Sequence, residues 1–125
     1  MCDRISETER AAQTALIFGD ADRAIVLYGR AIKCSWRVSR IDCRLVRMMC
    51  TVTEMMLDNG MDDDAFDGIR SMSLALARRN DEELALELVR KMKDLHSAHP
   101  GRFPGVASLE RYVRALLMLP DVGAQ

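Results

Sequence analysis

Six cationic side chains recur along one stretch of this sequence: Arg30, Lys33, Arg37, Arg40, Arg44 and Arg47, at spacings of 3, 4, 3, 4 and 3. On a helix that rhythm lines residues up on one face. A row of guanidinium groups presents fork-shaped donors able to grip carboxylates or phosphates. The competing reading is a solvated strip on an otherwise buried helix, its charges paired with nearby acids. Trp36, in the same stretch, adds an aromatic anchor. The partner-binding candidates are therefore Lys33, Trp36, Arg37, Arg40, Arg44 and Arg47.

Other clusters have simpler explanations. Asp62, Asp63, Asp64 and Asp67 are too closely spaced for a calcium loop, which needs acids at alternating positions and a closing glutamate. They suit the first turn of a helix, where the dipole favours negative charge. His96 and His99 share a helix end with Asp94 as the nearest further ligand, a position favourable to histidine without any metal. Cys43 and Cys50, seven residues apart on one helix, would be separated by about 10.5 Å along the axis. That exceeds the roughly 7 Å a disulfide tolerates and is too far to share one tetrahedral ion. No G-x-S-x-G, P-loop, G-x-G-x-x-G or H-E-x-x-H occurs. The expectation is a non-enzymatic protein with no catalytic residue, no cofactor and no metal.

These residues have to be carried by helices. Ser6-Glu7-Thr8-Glu9 has the form of a capping box opening a first helix, which Gly19 stops. Asp20 caps a second, whose inward face is Ala24, Ile25, Leu27, Tyr28, Ala31 and Ile32. A turn is expected within Lys33 to Trp36, followed by a third helix from Trp36 to Asp58. Its apolar rhythm is Val38, Ile41, Leu45, Met48, Val52 and Met55, widened by Cys43, Val46, Met49, Cys50 and Met56 into a broad arc. That arc predicts a helix with neighbours on two sides, carrying four of the arginines on its remaining strip. Asn59-Gly60 ends it. A fourth helix runs from Asp62 to Arg79, a fifth is capped by Asn80, and a sixth starts at Ser108 and closes at Pro120. The segment from His99 to Gly105 is the one clear loop. Residues 121–125 are expected to fray.

Gly19-Asp20 to Ile32 reads G-D-x-x-x-A-I-x-x-Y-x-x-A-I. This resembles the second half of a tetratricopeptide repeat, in which two antiparallel helices meet at a Gly-Asp turn. Ala12 stands where that family places a small residue on the first helix. Trp36 stands where the family has proline. The match covers Ser6 to Lys33; later segments keep only some offsets, and their turns do not hold a period of about 34. The resemblance implies a helical-hairpin scaffold whose first helices line a concave groove, with basic residues there holding an acidic peptide. On it, the third helix would be such a groove helix. The fold expected is all-α, with five to six antiparallel helices as stacked hairpins, tetratricopeptide-like or an irregular bundle. Residues 1–120 would form a single helical domain.

Composition agrees: 125 residues, 49 % hydrophobic and 5 % aromatic, with few glycines and prolines, disfavour a β-sandwich or barrel. The net charge of −1 gives no bulk attraction to nucleic acid or membrane. It hides a segregation, since Arg23 to Cys50 holds seven basic residues and one acid, whereas Thr51 to Ile69 holds six acids and no base. Opposed blocks of this kind could pair two copies as a homodimer. Met1-Cys2-Asp3-Arg4 leads into a polar stretch unlike a secretory signal, and free thiols in a reducing cytoplasm are expected. Nine methionines read first as core and second as an adaptable partner surface. The reading that follows is a protein–protein interaction module (an adaptor, chaperone or regulator) holding an acidic partner segment on a basic groove. The alternative is a nucleic-acid-binding regulator using the same cations on phosphate.

Overall fold

Among the described residues, runs of good helix formers separated by left-handed stops fold into six α-helices: α1 (Arg4–Ile17), α2 (Ala21–Arg37), α3 (Cys43–Asp58), α4 (Asp62–Arg78), α5 (Glu82–Ala98) and α6 (Val106–Leu116). The structure, a computed structural model, describes residues 4–102 and 105–119, and among these the fold is all-α. The expectations for Pro120, the 121–125 tail, Cys2 and the Phe103-Pro104 part of the loop lie outside the described residues.

Five helices end in the same way. Gly19, Ser39, Gly60, Asn80 and Met118 adopt positive φ, from 59° to 78°. At each, the next amide donates back across the turn: Asp20 N to Ala15 O at 2.9 Å, Arg40 N to Ser35 O at 2.9 Å, Met61 N to Met56 O at 2.8 Å, Asp81 N to Leu76 O at 3.0 Å, and Leu119 N to Arg114 O at 2.8 Å. These Schellman closures satisfy carbonyls that the helix itself leaves open. Aspartates then restart the chain. The Asp20, Asp42 and Asp81 carboxylates accept from the amides of Arg23, Arg44 and Leu84.

Four sequence expectations are corrected here. The α2–α3 break falls at Val38 to Asp42, beyond the expected Lys33–Trp36, because Ser39 takes the left-handed turn and Asp42 caps α3. Val38 is consequently 51 % exposed, outside any helix. Asn80 ends α4, and the cap of α5 is Asp81. The sixth helix begins at Val106 behind Gly105, with Ser108 already inside it. Finally, α1 starts before Ser6, so Ser6 and Glu9 are interior helix positions with other partners.

The chain divides between Met61 and Asp62 into two compact units. In the first, α2 packs against both α1 and α3. Ala12, Ala24 and Ala31 are fully buried, and their small side chains allow close approach of α1 and α2. Leu45, Met48 and Val52 supply the α3 side. In the second, α4, α5 and α6 each pack against the other two. Ile69, Leu76, Leu88, Met92 and Val113 form the centre of that core. Buried Thr53 and Ser73 donate to Met49 O and Ile69 O one turn back, so neither hydroxyl is left unsatisfied. Met48, Met49, Met55, Met72 and Met92 are all buried, which makes them packing residues. No helix among the described residues is long and apolar enough to cross a membrane.

Candidate functional site

The break at Ser39 divides the six cations between two helices and the connection between them. Arg30, Lys33 and Arg37 lie on α2, Arg40 in the connection, and Arg44 and Arg47 on α3. The single arginine stripe expected on the third helix is therefore not formed. A different stripe is. Arg23, Val26, Arg30, Lys33 and Arg37 are spaced 3, 4, 3 and 4 along α2, and all five are exposed. Its inner face, with Ala24, Leu27, Tyr28, Ala31 and Ile32, is buried. Trp36 is half-buried beside this stripe. Arg30, Lys33 and Arg37 make no ion pair or side-chain hydrogen bond within the described residues.

The α3 arginines have an internal partner that the sequence did not announce. Arg44 Nε donates to Glu9 Oε1 at 3.0 Å, and Arg44 Nη2 donates to Ser6 Oγ at 2.9 Å. Arg47 Nη2 donates to Glu9 Oε2 at 3.2 Å. Glu9 is buried, Arg44 is 24 % exposed at its side chain and Arg47 62 %. One carboxylate on α1 thus anchors two guanidinium groups of α3. The same carboxylate acts on Tyr28: burial first, then the Glu9 charge, raise the phenol above its ordinary value, while Arg47 opposes them. The Ser6-x-x-Glu9 spacing that suggests a cap is here the i, i+3 spacing that turns a hydroxyl and a carboxylate to one side of α1.

In the second unit the acidic start of α4 is partly engaged. Arg102 donates from Nε to Asp62 Oδ2 at 3.1 Å and from Nη2 to Asp62 Oδ1 at 2.7 Å. This two-pronged bond holds the Asp62 carboxyl below its ordinary range against a smaller opposing desolvation, with the Arg102 and His99 charges acting in the same direction. Asp63, Asp64 and Asp67 remain exposed. His99 is the C-cap of α5. Among the described residues no three His, Cys, Asp or Glu side chains gather as a metal site. Cys34, Cys43 and Cys50 are free thiols.

No family model, curated protein or solved structure matches this chain. The function must therefore be read from the surface chemistry. What the α2 stripe can do is present four cations and one apolar side chain, in helical register, to whatever approaches from solvent.

Proposed function

We propose that the first unit is a protein-interaction module, an adaptor, chaperone or regulator without enzymatic activity, that takes an acidic partner segment along the outer face of α2. The observation that carries this reading is the set Arg30, Lys33 and Arg37: three cations in register on an exposed helix face with no ion pair among the described residues. Arg30 and Arg37 stand about 10.5 Å apart along the axis, a span that suits two or three carboxylates of an extended segment. Exposed ion pairs contribute only about 0.2–1 kcal/mol each, so charge here sets orientation and encounter rate. Val26, 52 % exposed, and the half-buried Trp36 add apolar contact. The tight α1–α2 hairpin at Gly19-Asp20 and the fully buried Ala12 and Ala24 support a tetratricopeptide-like character for this hairpin. Free thiols support a reducing compartment such as the cytoplasm.

The test is affinity capture from the native host with wild-type protein beside the Lys33→Glu/Arg37→Glu variant, after nuclease treatment. An acidic protein held by the wild type and released by the variant at unchanged helicity is the expected result. Equal capture by both proteins would sink the assignment. Binding of oligonucleotides that falls steeply with salt would transfer the stripe to phosphate recognition.

A further inference from the structure

The second unit carries a surface that the foregoing reading does not use. Between α4 and α6 lies an open cleft of about 340 Å³. Its α4 wall is a four-residue repeat, Phe66, Arg70, Leu74 and Arg78, which a helix sets nearly in line. Leu74 is buried, whereas Arg70 and Arg78 are exposed. The α6 wall contributes Gly105, Leu109 and Tyr112. Leu109 is buried, and the Tyr112 ring stands 55 % exposed at the edge. Gly105 is required where it sits: its φ is +78°, and an added Cβ would come 3.4 Å from Cζ of Phe66.

The charges around this cleft are unbalanced. Arg70 and Arg78 form no ion pair or hydrogen bond with their side chains among the described residues, and Asp67, three positions before Arg70, does not close onto it. The acid on α6, Glu110, is engaged elsewhere, accepting from Lys93 at 3.1 Å and from Arg114 at 3.4 Å. An apolar floor of Leu74 and Leu109 is thus bordered by two arginines whose backbone positions stand about 12 Å apart along α4. Such a rim opposes basic ligands and leaves purely apolar ones without partners for its charges.

We propose that this α4–α6 cleft is a docking site for an acidic amphipathic segment of a partner protein. One apolar side chain of the segment sits over Leu74 and Leu109 against the Tyr112 ring, and carboxylates on either side of it engage Arg70 and Arg78. The spacing fixes the pattern. Two acids about 12 Å apart are four residues apart in an extended segment, or eight apart in a helix, with the apolar anchor midway. This site is separate from the α2 stripe and stands or falls independently of it.

The experiment selects binders from a displayed library of random dodecapeptides against the intact chain. Each selected peptide is then titrated, with a fluorescent label, against wild type and variants. Peptides bearing an apolar residue between two acids are expected. Their affinity should fall about tenfold or more on Arg70→Glu/Arg78→Glu and severalfold on Tyr112→Ala, with Lys33→Glu/Arg37→Glu without effect. All substituted side chains are exposed, and circular dichroism verifies that helicity is kept. A peptide with its acids exchanged for lysine should bind the double-glutamate variant better than wild type. Selection of peptides without that acidic pattern, or of acidic peptides insensitive to both Arg70→Glu/Arg78→Glu and Lys33→Glu/Arg37→Glu with none that depends on Arg70 and Arg78, would overturn the proposal. So would failure to select any binder, or binding of an oligonucleotide in the cleft in place of peptide.

Discussion

Glu9 lies buried in the first unit with each carboxylate oxygen accepting from a different guanidinium group, Arg44 at 3.0 Å and Arg47 at 3.2 Å. Removing its charge weakens the anchoring of the partly buried Arg44, while the more exposed Arg47 is screened by solvent. Glu9→Gln is therefore expected to lower stability by about 1–3 kcal/mol, read as a lower urea midpoint at constant slope. The same substitution has a spectroscopic consequence. Tyr28 is held above its ordinary value by burial and by Glu9, so in the variant tyrosinate should form at lower pH than in wild type. The linkage sign follows. A phenol whose folded pKa is raised contributes stability that is complete below its unfolded value of about 10 and is lost as pH climbs through the folded one. Glu9→Gln narrows that window, and an unchanged tyrosinate titration together with an unchanged midpoint would refute the account. The identities of these residues were legible in the sequence, but their pairing was not. Ser6 and Glu9 satisfy a local capping pattern equally well, and contacts over 35 to 38 residues leave no trace in a periodicity.

At the scale of elements, the helix stops decide which side chains share a face. Gly19 and Gly60 advertise themselves, because glycine takes positive φ without steric cost. Ser39 occupies the same conformation with a Cβ that disfavours it, which is why the α2–α3 break could not be placed from composition. A displacement of five to six residues was enough to move Lys33 and Arg37 onto α2 and leave Arg44 and Arg47 on α3, replacing one expected stripe by another. The inward faces were read more securely, since Ala24, Leu27, Tyr28, Leu45, Met48 and Val52 are buried as their spacing demands. Two substitutions of opposite sign test the argument. Ser39→Gly relieves the left-handed strain and should stabilise by about 0.5–1 kcal/mol, after the larger unfolded-state freedom of glycine is allowed for. Gly60→Ala should destabilise by about 1 kcal/mol, and from backbone strain alone, because nothing lies within 4 Å of the added Cβ. Urea denaturation of both variants measures the pair, and equal signs would contradict the role given to these turns.

Across the whole molecule, the charge segregation of the sequence survives folding only in part. Glu9 neutralises the α3 end of the basic block, and Arg102 occupies Asp62 at the acidic one. Among the described residues, those of the two blocks that make no ion pair include Arg23, Arg30, Lys33 and Arg37 on α2, and Asp63, Asp64 and Asp67 at the start of α4. The division at Met61 is not marked in the sequence, since Gly60 ends α3 with the same turn that Gly19 makes inside the first unit. On charge complementarity we propose a weak self-association in which the basic face of one copy meets the acidic helix start of another. Three exposed pairs at a few tenths of a kcal/mol each give a weak association, and one strongly dependent on salt. Light scattering at low ionic strength should therefore give an average mass that rises above 14.1 kDa with concentration and returns to 14.1 kDa in high salt. Asp63→Asn/Asp64→Asn/Asp67→Asn should abolish the rise, and an acidic peptide that occupies α2 should reverse it. A 14.1 kDa particle at every salt and concentration would show that these charges stay solvated and that the α2 stripe is not covered by a second copy.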